Sequence, residues 1–275
     1  MDDTDPPEIE LPDQADRRDQ VESFARGLTV LRAFGPGRRA LTLTDIAKIT
    51  GQQRSTSRRF LLTLCAHGYA VQEGRLFSLT PRVLELGYSY LSSLGFPALI
   101  QPHLTGLTRL LGESSSAAVL DGAEIVYIAR SAAPQRLMSV TLGVGSRLPA
   151  YATSMGQALL AQLSDTEIDK YCAMISFEKF TARTVHDGAS LRAKLADIRQ
   201  GGVAIADQEL EMGLRSIAIA IAARGASPAF AINVATNVAR VSRADIEQRI
   251  LPAMREVAAA CRETVEMAQN RDHWT

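Results

Sequence analysis

The sequence predicts an α/β chain of two domains: a small helical module closed by a hairpin, a linking helix, and a larger α+β domain built on an antiparallel sheet. Three observations carry that expectation. Two short helical stretches, LTLTDIAKIT and QQRSTSRRFLLTLCAH, meet at Gly51 within a strongly basic region. Thr80-Pro81, an N-cap followed by a first-turn proline, opens a helix directly after a hairpin pattern. Beyond Phe96-Pro97, strand pairs and flanking helices follow the order of an antiparallel sheet with helices packed on it, not of a doubly wound parallel sheet.

Length and composition allow this division. At roughly 150 residues per domain, 275 residues suit two domains, and 46% hydrophobic content supplies both cores. Cys65, Cys172 and Cys261 are far apart and form no CxxC pair, so free thiols in a reducing compartment are expected rather than disulfides or zinc. The opening MDDTDPPEIELPDQ is acidic where a signal peptide is basic, and no apolar run approaches the roughly 18 residues of a membrane span. A cytoplasmic protein with no membrane partner, metal or cofactor is therefore expected. The net charge of zero hides a partition. Residues 1–20 hold eight acids and two arginines, net −6; residues 21–80 hold nine Lys/Arg and three acids, net +6. The remaining 195 residues balance at 19 and 19. Residues 1–20 read as a disordered acidic leader, and a basic module on a neutral chain suits a phosphate-backboned partner.

Within residues 21–80, Phe24, Leu28, Leu31 and Phe34 recur at helical spacing until Gly35-Pro36-Gly37 stops the helix. Gly35 to Ala40 spells G-x-G-x-x-A, but it follows a helix rather than a strand and contains Pro36, so it reads as a loop. Thr44 reads as the N-cap of the next helix, with Ile46, Ala47 and Ile49 as its apolar residues. Gly51 supplies the left-handed backbone of a tight corner between helices. On the second helix, Ser57, Phe60, Leu61 and Leu64 share one arc and form its buried stripe. The opposite arc carries Ser55, Arg58 and Arg59, with Arg54 on the flank and Gln53 and Thr56 beside them. A merely solvated basic face would mix in acidic partners, and none accompanies these arginines at helical spacing. That is the pattern of a recognition helix in the major groove of double-stranded DNA, where guanidinium groups meet phosphates and guanine edges. AVQEGRLFSL then reads as a hairpin around Glu73-Gly74, with Arg75 at its tip for phosphate or minor groove. A hairpin directly after a recognition helix is a wing, so residues 21–80 are expected to form a winged helix-turn-helix.

Residues 81–95 read as a linker helix. Its ridge of Leu84, Tyr88 and Leu91 suits a dimer contact and packing on its own chain equally well. Residues 96–275 form the second domain. A helix covers about Ala98 to Leu111, and SSSAAVL pairs with EIVYIAR through an Asp121-Gly122 turn. RLMSVTL reads as another strand, and a helix begins near Ala152. Ser164 with Glu167 forms a capping box. Strands follow near Val203–Ala206, Ser216–Ala222 and Ala229–Ala235, and a closing helix starts at Ser242, with Pro252 as a kink.

Together these segments resemble the IclR family of bacterial transcription regulators over roughly residues 21–270. The similarity rests on SFARGLTVLRAFG, the helix-turn-helix and hairpin, LTPRVLELGYSYLSS, LGVGSRLPAYATSMGQALLA, and GLRSIAIAI followed by FAINVAT; Gly145 to Thr153 is its most diagnostic run. RRFLLTL combined with LGVGSRLPAYATSMG looks most like regulators of aromatic-acid breakdown through the β-ketoadipate pathway. The resemblance implies a GAF-like effector-binding domain, a small organic acid as effector, a DNA operator, and homodimers able to pair into tetramers. Gln52 and Ser57 stand where many relatives carry apolar residues, which makes Gln52 a further candidate for a DNA contact.

By the same resemblance, Ser154, Met155, Asp207, Ser216 and Asn233 fall in effector-binding slots, and Leu137, Val140 and Leu148 match apolar wall positions. Ala235 replaces a hydroxyl residue of some relatives, which suits an aromatic or longer aliphatic acid. Physically, Thr153 and Ser154 at a helix N-terminus offer hydroxyls and amides to an anion, while Thr153 as a plain N-cap is the simpler reading. Ser216 and Asn233 on apolar strands are costly unless something binds them. Arg130 and Arg136 read as surface residues rather than as partners for a second carboxylate. His67, His103, His186 and His273 are scattered, and no HExxH, GxSxG or phosphate loop is present. The expectation is a DNA-binding regulator without catalysis; the alternative is a metabolite-binding module or enzyme whose winged helix contacts a protein.

Overall fold

The computed structural model describes residues 20–35, 37–133, 142–222 and 228–272. Residues 1–19 of the expected leader, residues 136–141 of the expected strand RLMSVTL, Leu137 and Val140 with them, and His273 lie outside the described residues. The chain forms two compact units, Met1–Ser89 and Tyr90–Thr275.

In the first unit, α1 (Glu22–Arg32) is followed by β1 (Ala40–Thr42), α2 (Leu43–Thr50) and α3 (Arg54–Ala66). Val30, Ala33 and Phe34 enter the core, whereas Phe24 and Leu28 of the same stripe are exposed. Thr42, not Thr44, caps α2. Its Oγ1 accepts from the Asp45 amide at 3.2 Å, and the Asp45 carboxylate accepts from the Thr42 amide at 2.9 Å. This reciprocal box satisfies two helix-end donors, and Thr44 offers no equivalent. Gly51 ends α2 at φ +64°. The hairpin is β2 (Ala70–Glu73) with β3 (Leu76–Leu79), and β1 adds to β3 to give an antiparallel sheet of order β1-β3-β2. Ile46, Leu61 and Phe77 seal the three layers together. Thr80 caps a 3-10 turn, Pro81–Val83, that leads into α4 (Leu84–Leu94). The ridge on α4 divides: Leu84 and Tyr88 are 70% and 71% exposed, while Leu91 packs on the second unit's core.

The second unit runs α5 (Pro97–Leu111), β4 (Ser114–Asp121), β5 (Glu124–Ser131), β6 (Arg147–Pro149), a 3-10 turn Ala150–Ala152, α6 (Ser154–Leu160), α7 (Asp165–Met174) and α8 (Gly188–Gly201). It continues with β7 (Ala204–Asp207), β8 (Leu214–Ile221), β9 (Phe230–Asn237), α9 (Arg243–Asp245), a π-helical turn Ile246–Ile250 and α10 (Leu251–Asp272). The strands form one antiparallel sheet, β6-β5-β4-β9-β8-β7. Helices α5 and α10 cover one face, and α6, α7 and α8 cover the other. Burial on both faces explains why β8 is apolar without alternation from Ile217 to Ile221. Ser164 and Glu167 form the expected capping box, and Ser242 forms a second with Asp245. Pro252 has no amide to donate, and the helix accommodates it through the π turn, where the Leu251 amide reaches the Ile246 carbonyl. Among the described residues no helix is long and apolar enough to cross a membrane.

Candidate nucleic-acid interface and effector cavity

Helix α3 buries Ser57 and Leu61 and turns Arg54, Ser55, Arg58 and Arg59 to solvent, with Thr56 half-buried between the two faces. Gln53 is exposed at the N-cap, and Arg75 is exposed in the two-residue turn between Glu73 and Leu76. Among the described residues no ion pair holds Arg54, Arg58, Arg59 or Arg75. The surface is therefore a ridge of uncompensated guanidinium groups on a helix rooted in the core by its opposite side. Gln52 is not part of it. Its amide nitrogen donates to the Arg26 carbonyl at 3.1 Å, tying the corner to α1, and its Oε1 is buried without a partner.

In the second unit a cavity of about 390 Å³, open mouth included, lies against the sheet face covered by α6. Its wall includes Leu148 from β6; Thr153, Ser154 and Met155 where α6 begins; and Ser216, Asn233 and Ala235 from β8 and β9. Six predicted effector residues thus meet at one place. The start of α6 is held there by a close approach: a Cβ on Gly156 would lie 2.1 Å from the Ala150 carbonyl oxygen, so only glycine lets the helix sit on the preceding turn. Thr153 is committed to the cap, accepting from the Gly156 amide at 3.2 Å. Ser154 and Asn233 are 1% and 5% exposed, yet Ser154 Oγ and Asn233 Oδ1 have no hydrogen-bond partner. Buried polar atoms left unpaired cost about 1–3 kcal/mol each, and a polar group seated in the cavity would relieve that cost at these two.

Asp207 is a correction. It does not line the cavity; Arg215 grips both its oxygens at 3.1 Å, and Arg183 adds a third bond at 3.1 Å. Partial burial pushes its carboxyl up, but the Arg215 and Arg183 charges outweigh that and leave it below the usual carboxylate range. Two residues later, Glu209 does face the cavity. It is buried, paired with Lys194 of α8, and accepts from Gln157 Nε2 at 2.6 Å. Gln157 also donates to the Tyr151 carbonyl at 2.8 Å, so one hydrogen-bonded chain joins α6, α8 and the segment after β7. Tyr127 of β5 also lines the cavity, and burial pushes its hydroxyl up to about 12. Sequence reasoning missed Glu209 and Tyr127 as site residues. One of the three acids in DQELEM and a tyrosine in an apolar strand carry no local signal; only the fold brings them together.

Two family descriptions match the chain: an IclR helix-turn-helix domain over residues 23–74 and the C-terminal domain of bacterial IclR transcriptional regulators over residues 88–264. The Pca regulon regulatory protein of Pseudomonas putida is 46% identical over 236 residues, covering 86% of this chain and 81% of that protein. The crystal structure of a transcriptional regulator from Rhodococcus sp. RHA1 is 46% identical, with a TM-score of 0.78 over 90% of this chain and 99% of that one. The inducer-binding domain of an Acinetobacter PobR double mutant, solved with 3-hydroxybenzoic acid, is 30% identical, with a TM-score of 0.55 over 60% of this chain and 97% of that one. A winged helix with a bare guanidinium ridge, a sheet domain with a cavity edged by unbonded polar atoms, and these matches agree: the chain belongs to the IclR family of bacterial transcriptional regulators and is a DNA-binding regulator, not an enzyme.

Proposed function

We propose that this regulator controls an operon for the breakdown of an aromatic acid and that a small organic acid, bound in the cavity of the second unit, is its signal. The observation that carries the reading is the pairing of Ser154 Oγ and Asn233 Oδ1, sealed from water and unbonded, in a cavity whose remaining wall is largely apolar. A hydroxylated aromatic acid supplies an apolar ring, a carboxylate that accepts from the Ser154 hydroxyl, and a ring hydroxyl that donates to Asn233 Oδ1. The PobR inducer-binding domain, solved with 3-hydroxybenzoic acid, supports the same class of ligand. On the DNA side, Gln53, Arg54, Ser55, Thr56, Arg58 and Arg59 enter the major groove and Arg75 meets the flanking backbone. Two copies read a palindrome whose half-sites lie about 34 Å apart or a multiple of that. The exposed Leu84 and Tyr88 of α4 support a homodimer, and pairs of dimers give a tetramer.

Ligand occupancy changes operator binding only through different affinities for two conformations. The test is thermal shift of the full chain with protocatechuate, 3- and 4-hydroxybenzoate, muconate and β-ketoadipate, followed by operator gel shift with the best binder. A ligand at about 100 times its Kd adds roughly 2.7 kcal/mol of stability. No stabilisation by any of these acids would overturn the proposed effector class.

A further inference from the structure

We propose that Arg130 is the cation that anchors the effector's carboxylate, in a subsite on the sheet between Tyr127 and Asn233. The inference rests on the effector reading above and deepens it. In a regular strand, residues three apart point to opposite faces, so Tyr127 at the cavity would send Arg130 to the other side. Strand β5 is not regular. Tyr127 pairs with Ala118 and Arg130 with Ser116, because the register shifts between Ala117 and Ala118. Ser116 and Ala118 are two apart on β4 and share a face, so the bulge turns Arg130 onto the same face as Tyr127. Bulges of this kind re-aim side chains next to binding sites.

The row continues across the sheet. Ser116 pairs directly with Asn233 of β9, so Arg130, Ser116 and Asn233 stand side by side on three adjacent strands. Neighbouring strands are about 4.8 Å apart, and the Arg130 guanidinium leans along the row, donating from Nη1 to the buried Ser116 hydroxyl at 3.2 Å. That sets the charge beside the strand neighbour of Asn233, whose Oδ1 is unbonded, at the border of the cavity rather than in its lining. On its other flank it acts on the Tyr127 hydroxyl, favouring ionisation against the larger effect of burial. Among the described residues no carboxylate pairs with Arg130, and the segment 134–141 that follows β5 contains no acid. A half-buried guanidinium with a neutral hydroxyl as its side-chain partner is short of an anion. It matches a carboxylate held by two parallel N–H bonds, with Asn233 and Tyr127 beside it and the ring directed towards Ser154 and Ser216.

The test compares 3-hydroxybenzoate with its uncharged analogue 3-hydroxybenzamide by calorimetry on the full chain and on Arg130→Met and Arg130→Lys. Wild type is expected to bind the acid roughly 10- to 150-fold more tightly than the amide, the range for a charge-assisted bond. Arg130→Met should remove most of that preference by weakening the acid alone, and Arg130→Lys should restore part of it. Equal affinity of wild type for acid and amide overturns the inference, whatever becomes of the variants. So does a folded Arg130→Met chain that keeps the preference or loses affinity for both ligands alike. If wild type binds neither compound nor any acid of the wider panel, the effector reading fails together with this inference; if it binds acids without needing Arg130, only this inference fails.

Discussion

Arginines in the two units meet different fates. In the second unit Arg147 is held by Glu124 and Asp121, Arg199 by Asp165, Arg215 by Asp207, and Arg240 by both oxygens of Glu113 at 2.7 and 2.8 Å. Arg130 has no such partner among the described residues, and neither do Arg109, Arg249, Arg255 and Arg262. In the first unit Arg26 and Arg82 have acids one helical turn away, but among the described residues Arg54, Arg58, Arg59 and Arg75 have none, nor do Arg32, Arg38 and Arg39. The contrast separates charge that supports the fold from charge left open. On α3 and in the hairpin turn the unpaired arginines are clustered and exposed, and that clustering is what suits a polyanionic partner.

Unbonded polar atoms divide in a similar way. In the second unit Ser154 and Asn233 border a cavity, so a ligand can satisfy them, whereas Gln157 Oε1 and Thr236 Oγ1 are unbonded without lining it. In the first unit Gln52 Oε1 and Ser57 Oγ are sealed within the helix-turn-helix packing, away from that cavity. They are a cost of the fold rather than a site.

This comparison can be broken in several ways. The largest effect is expected from Arg58→Ala combined with Arg59→Ala. At about 1–3 kcal/mol for each guanidinium removed, operator affinity should fall by roughly 30-fold or more in gel shift, while thermal unfolding and effector binding stay unchanged. Gly156→Ala should come next. Its methyl cannot share space with the Ala150 carbonyl, so the start of α6 must move, costing about 2–4 kcal/mol in urea unfolding. Effector response should disappear, while the winged helix still binds DNA. Ser154→Ala is expected to be milder. Removing an unbonded hydroxyl leaves the free protein as stable or more stable, whereas effector affinity drops about 5-fold, near 1 kcal/mol. Smallest is Ser57→Ala, which deletes a sealed, partnerless hydroxyl and should raise stability by about 0.5–1 kcal/mol with operator affinity unchanged. A destabilised Ser57→Ala would mean that this hydroxyl has a role in the packing that its geometry does not explain.

The helix-turn-helix, its hairpin and the later capping boxes were legible because each is written in local residues: Gly51 at a left-handed corner, Glu73-Gly74 at a turn, Ser164 with Glu167 at a helix start. The cap of α2 was legible too, since Thr42 and Asp45 have the same spacing as Ser164 and Glu167; Thr44 drew attention only by lying nearer the apolar residues. Strand β1 escaped because three residues show no alternation, and its partner β3 lies more than thirty positions away. The cavity was legible in part. Ser216 and Asn233 stand out as polar residues in apolar strands, but Asp207 and Glu209 are both acids, two positions apart. Which one reaches the cavity depends on Arg215 gripping the first and Lys194 the second. Arg130 read as a surface residue rather than a carboxylate partner, and nothing in EIVYIAR announces the bulge that sets it on the face of Tyr127.

The most direct test of unpaired charge as the DNA-reading surface is the salt dependence of operator binding, measured on wild type and on the Arg58→Ala, Arg59→Ala chain. If these guanidinium groups neutralise phosphates, log affinity of wild type falls steeply with log salt, and the double variant's slope is shallower by about 0.9 for each phosphate no longer neutralised. Equal slopes and equal affinities in the two proteins would contradict the assignment.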